Sequence, residues 1–170
     1  MQKIIDLIDS AGGIGSLAKK FGITEKQAMS AAKSVLPKLG SSLLSNISSL
    51  DGLSGLLGAL GKGDHKKYVD EPDKAVDDDA VKDGNRILGH VLGSKDESRR
   101  VAAEAAESTG LDLGMLKKML PAFAGMTMGS LRKQADDAAP EGKELPDVMD
   151  AKDDDDDGLD FGGLLSSLLK

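Results

Sequence analysis

The stretch LAKKFGITEKQAMSAAKSVLPKL, residues 17–39, reads as two helices meeting at a glycine. A short helix from about Gly15 to Phe21 ends at Gly22, because glycine adopts the left-handed backbone of a helix C-terminus at no steric cost. Thr24 follows as an N-cap, with Gln27 three residues on as its capping-box partner. The helix that starts there carries Ala28, Ala31, Ala32, Val35 and Leu39 at helical spacing. Pro37 is expected to end or kink it, since proline removes a backbone donor and crowds the preceding turn. Helix then resumes through SSLLSNISSL at 41–50. Upstream, Ile4, Ile5, Leu7 and Ile8 place an apolar stripe on an opening helix that Ala11, Gly12 and Gly13 stop.

The same plan recurs in AAESTGLDLGMLKKMLPAF, residues 105–123. Here Gly110 stands for Gly22, Asp112 for Thr24, Pro121 for Pro37, and Ala106 for Ala18. The glycine-to-proline spacing is 15 residues in the first copy and 11 in the second. That difference of about one helical turn keeps the same face inward. A duplicated helical motif accounts for these matches together.

The chain has 170 residues, of which 39% are hydrophobic and 30% charged, enough for a modest core. It contains no Cys and no Trp, so disulfide scaffolds, zinc–thiolate sites and thiol catalysis are excluded. No apolar run approaches the roughly 20 residues that span a bilayer. The opening MQKIIDLIDS holds Asp6 and Asp9 within its apolar stretch and does not read as a secretory signal, so a cytoplasmic location is expected. Residues 1–63 carry seven lysines against four carboxylates, a net of +3, leaving −10 for the remainder to reach −7. Acid concentrates in EPDKAVDDDAVKD at 71–83 and from Asp136 to Asp160, stretches too poor in apolar side chains to offset chain entropy. The expected architecture is therefore all-α: a helical unit at 1–60, a flexible acidic linker at 61–83, a related unit at 84–134, and an acidic tail at 135–170 with a short leucine-rich terminal helix.

The second unit opens with GNRILGHVLG at 84–93 and continues through Gly110-Leu111, Leu120-Pro121 and Gly129. With the LA…GIT…QA…LP pattern of the first unit, this resembles the bacterial YidB-like family, a domain of unknown function. The resemblance spans about residues 1–134. It implies an all-helical fold with a homeodomain-like, orthogonal helix arrangement, and no catalytic activity, cofactor or established partner.

Four features invite a functional reading. Leu50, Leu53, Leu56, Leu57 and Leu60 share one face of a helix in which glycine recurs at every third position from 52 to 61. Four glycines at roughly 1 kcal/mol each leave such a helix unstable alone, so its stripe must meet its own core or another chain. Leu164, Leu165, Leu168 and Leu169 form a similar face after the acidic run, suited to docking in a groove. The helix beginning at Glu25 could instead enter a DNA groove with Lys26, Gln27, Ser30 and Lys33, while Lys19 and Lys20 meet phosphates. Against that, no Arg occurs in residues 1–85 and the chain is acidic overall, which weakens counterion-driven binding. Finally, Asp153, Asp155 and Asp157 with Gly158 fit the start of a calcium loop, but position 12 is Leu164 rather than a bidentate Glu.

The two histidines suggest no metal site. His90 reads as a core or interface residue, and His65, among charged neighbours, as solvated. Gly84, Gly89 and Gly93 follow no strand, so they read as close helix approaches rather than a phosphate loop. No nucleophile can be placed beside a base, so no enzyme and no cofactor is expected. The favoured function is a protein–protein interaction or self-assembly module; nucleic-acid binding is the alternative.

Overall fold

A computed structural model describes residues 1–62 and 64–138. Within them lie eight α-helices and one 3-10 turn, with no strand. The helices are α1 (Gln2–Ser10), α2 (Gly13–Phe21), α3 (Glu25–Ile47), α4 (Leu50–Lys62), α5 (Lys67–Asp70), α6 (Asp78–Leu92), α7 (Lys95–Thr109) and α8 (Leu113–Ala138); the 3-10 turn, Pro72–Val76, separates α5 from α6. The all-α expectation holds.

Both repeat junctions form as the sequence pattern requires. Gly22 adopts φ +65° and Gly110 φ +72°, ending α2 and α7 in the left-handed conformation. At the first junction Thr24 Oγ1 accepts from the Gln27 amide at 3.1 Å, while Gln27 Oε1 accepts from the Thr24 amide at 3.0 Å. At the second, Asp112 Oδ1 accepts from the Met115 amide at 2.8 Å. Each cap satisfies an N–H that the first helical turn otherwise leaves unpaired.

Neither proline ends its helix. Helix α3 continues through Pro37, and α8 continues through Pro121. An interior proline costs a helix about 3 kcal/mol. Around Pro37 that cost is offset by Val35, Leu36, Leu39 and Leu43, all buried, each contributing about 1.5–3 kcal/mol. Pro37 itself is exposed, and its carbonyl accepts from Ser41 Oγ at 3.0 Å.

The two repeats share one hydrophobic core instead of folding side by side. Helix α3 packs on α6 and α7, and α8 packs on α1 as well as on α6 and α7. Phe123, Leu116, Met119, Met126 and Leu131 of α8 are buried, together with Ile4, Ile8, Leu17 and Leu36 from the first repeat.

The 61–83 stretch also departs from its composition. Rather than forming a flexible linker, residues 67–83 supply α5, the 3-10 turn and the start of α6. Tyr68, Val69, Ala75, Val76 and Ala80 are buried, so a few apolar residues among many acids suffice to dock the segment. Residues 135–138, assigned by composition to the acidic tail, complete α8, with Ala135 buried and Asp136 paired with Arg132 at 2.9 Å.

Candidate functional site

Helix α4 is held at both ends. At its start, Ser49 Oγ donates to the Asn46 carbonyl at 3.1 Å and accepts from the Gly52 amide at 3.1 Å. The turn is tight enough that a Cβ at Gly52 would stand 2.7 Å from the Asn46 carbonyl carbon, so only glycine fits. Asn46 Nδ2 donates to the His90 carbonyl at 3.0 Å and the Val91 carbonyl at 2.7 Å, groups that the end of α6 cannot satisfy internally. At the other end, Arg132 Nη1 donates to the Leu60 carbonyl at 2.6 Å.

Between these anchors the middle of α4 stands off from α6. A solvent-open apolar cavity of about 170 Å³ results, with Leu43 of α3 and Met128 of α8 among its lining residues. Asp51, Gly52, Gly55, Leu56 and Ala59 line it from α4, Asn46 from the end of α3, and Ile87, His90 and Val91 from α6. A Cβ added at Gly55 or Gly58 would meet nothing within 4 Å, so both glycines leave open space beside the helix.

The leucine stripe is only partly available for such a role. Leu60 is 0% exposed and Leu56 9%, both committed to the protein's own core. Leu53 and Leu57 lie on α4, their side chains outside the described residues. Leu164, Leu165, Leu168 and Leu169 lie outside the described residues, as do Asp153, Asp155 and Asp157. The cavity residues Ile87, His90 and Val91 were legible only as part of ILGHVLG, without any sign that α4 would face them.

Of the two histidines, His65 departs from its expected place. His90 is exposed beside the cavity, whereas His65 is 5% exposed. His65 Nε2 lies 3.2 Å from the Ala59 carbonyl and Nδ1 3.1 Å from Asp83 Oδ2. Asp83 also accepts from the Tyr68 hydroxyl at 2.9 Å. Burial, then the hydrogen bond to Asp83, push the Tyr68 phenol well above its ordinary range. Gly129 makes room for this cluster: a Cβ there would stand 3.0 Å from Val69 Cγ2 and closer still to the His65 carbonyl.

The basic alternative is also placed. Lys19, Lys20, Lys26, Gln27, Ser30 and Lys33 are all exposed, on the end of α2 and the first turns of α3. Gln27 is engaged in the capping box. Farther along α3, Ser34 bonds to Ser108 at 2.8 Å and Lys38 pairs with Glu104, so α7 lies against that side of the helix. The hydrogen bond from Lys38, then its charge, hold the Glu104 carboxyl below the usual carboxylate range. A second, wider cleft of about 550 Å³ between α6, α7 and α8 carries Lys95, Arg99 and Lys117, with Arg99 paired to Asp96 at 3.0 Å.

Among the described residues, no group of three His, Cys, Asp or Glu side chains could hold a metal ion, and no helix is long and apolar enough to cross a membrane. Fold and cavity together define, over the described residues, a single-core, all-helical domain in which a helix–glycine–helix junction occurs twice. The family described as "Bacterial protein of unknown function (DUF937)" matches residues 9–134, and the chain belongs to that family. This is the YidB-like family that the motif of residues 84–134 resembles. No curated protein and no solved structure matches the chain.

Proposed function

We propose that the protein is a non-catalytic interaction module whose apolar cavity between α4 and α6 receives a short apolar helix from a protein segment. The observation that carries this reading is the cavity itself, about 170 Å³ and open to solvent beside Gly55. An enclosed aliphatic cavity of roughly 150 Å³ takes up a benzene-sized group, so by volume one or two leucine side chains match this one, whose mouth also carries the polar side chains of Asn46, Asp51 and His90. Helix-in-groove recognition needs little more than such anchors at positions i and i+4. Nucleic-acid binding through α3 has less support, because Glu104 of α7 already pairs with Lys38 of α3 and the chain's net charge is −7.

The test uses a labelled peptide with leucines at i, i+1, i+4 and i+5, titrated into full-length protein whose leucines 164, 165, 168 and 169 are changed to Asp. Saturable binding that weakens at least tenfold on adding Gly55→Leu is expected. Absence of binding, or binding indifferent to Gly55→Leu, overturns the reading.

A further inference from the structure

Resting on that reading, we infer that the occupant of the α4–α6 cavity is the chain's own leucine-rich segment, Leu164 to Leu169, folded back in cis.

Three observations lead there. The first is chemical fit: Leu164 with Leu168, and Leu165 with Leu169, are i, i+4 pairs on one helical face, the spacing a one- or two-leucine cavity accepts. The second is reach. Met128 lines the cavity, and α8 ends ten residues on at Ala138, about 15 Å farther along the helix axis. Residues 139–163 then count 25; a Gly-rich coil of that length would span roughly 25–30 Å, and a strongly acidic one more, so the length suffices for a return. The spacer is neither too short to return nor so long that the advantage of the tether is lost.

The third observation separates this occupant from a second copy. Stable association between two proteins buries about 1,200–2,000 Å². A cavity with room for one or two leucine side chains, with Leu56 and Leu60 already committed to the core, offers only a small contact area. A tether changes the requirement, since a short linker supplies an effective concentration on the order of millimolar. Intrinsic binding at roughly 0.1 mM then keeps the cavity about nine-tenths filled, while untethered copies at micromolar concentration stay apart. The same tether makes the segment a built-in competitor, so an external apolar helix must displace it before docking.

Amide hydrogen exchange on the full chain tests this. In the wild-type protein, the amides of residues 163–169 are expected to exchange about tenfold slower than their intrinsic rates, with the solution mass remaining at 17.7 kDa. Gly55→Leu should abolish that protection, because its side chain enters open space at the cavity and replaces a poor helix former with a good one. Changing leucines 164, 165, 168 and 169 to Asp should in turn speed exchange of α4 amides around Gly55 and Ala59. Intrinsic exchange throughout 163–169 in the wild type overturns the inference, as does protection untouched by Gly55→Leu. Protection that grows with concentration while the mass doubles assigns the cavity to a second copy and overturns the cis occupant. If the tail is unprotected yet the Asp-substituted chain still binds the leucine peptide, only this inference falls and the docking module stands.

Discussion

Gly84 of α6 lies against the backbone of Pro121 in α8 so closely that a Cβ on the glycine would stand 2.7 Å from Pro121 Cα and nearer still to its carbonyl. The absence of one methyl group thus sets how near these two helices can run, and much of the core is built on their contact. Gly89, on the same helix, has nothing within 4 Å of the equivalent point. Gly84→Ala should therefore lower stability by at least about 1–3 kcal/mol through overpacking against backbone that cannot move aside. Gly89→Ala should instead raise it by up to about 1 kcal/mol through helix propensity. Thermal melts of the two variants check this, with each kcal/mol worth about 2–4 °C at this size. Equal effects would mean that the close approach does not govern the packing.

The repeated caps make a matched pair. Thr24→Ala and Asp112→Ala should each cost about 1 kcal/mol in denaturant unfolding, because each leaves an amide of the first helical turn unpaired. The double variant should cost the sum to within a few tenths of a kcal/mol if the two sites are independent. A free Asp112→Ala substitution would show that the second cap forms no part of what holds α8.

Tyr68 links stability to alkaline pH. Its folded pKa is raised from 10.0, chiefly by burial and then by the hydrogen bond to Asp83. The folded protein therefore holds the phenolic proton more tightly than the unfolded chain. The stabilisation is complete below pH 10 and declines as pH rises above it, by up to about 1.4 kcal/mol per pH unit. Tyr68→Phe should cost about 1 kcal/mol at neutral pH for the lost bond and remove this alkaline slope. As the chain's only tyrosine, Tyr68 also reports directly through phenolate absorbance. Ionisation of the folded protein near pH 10 would contradict the burial of its ring.

A labelled random DNA duplex should show no saturable binding even at low salt. Binding with a steep salt slope, lost on Lys26→Glu and Lys33→Glu, would restore the reading of α3 as a recognition helix. Anisotropy titrations at two salt concentrations decide it.

Much of the fold was legible because its signals are local. Gly22 with Thr24, and Gly110 with Asp112, announce helix junctions within a few residues, and each formed as read. What stayed hidden depends on distant partners. Nothing near Pro37 tells that Val35 through Leu43 have enough core around them to carry the helix past a missing hydrogen bond. The acids of 71–83 outnumber its apolar residues, yet Val76 and Ala80 have a surface waiting on the helices around them. His65 looked solvated because its neighbours are charged, and its shelter exists only because Gly129, 64 residues away, lacks a side chain. The cavity was illegible for the same reason: Gly55 and Ile87 face it from segments whose meeting no local pattern encodes.

The packing of α1 against α8 has a consequence for biosynthesis. Ile4 and Ile8 are hidden from water, but the helix that completes their shelter is the last described element to be made. As the chain leaves the ribosome, the first helix has only α2 and α3 to pack against through about 100 further residues of synthesis. The first repeat therefore emerges with a docking surface still exposed, and a chaperone or a nascent neighbour can compete for it until α8 arrives.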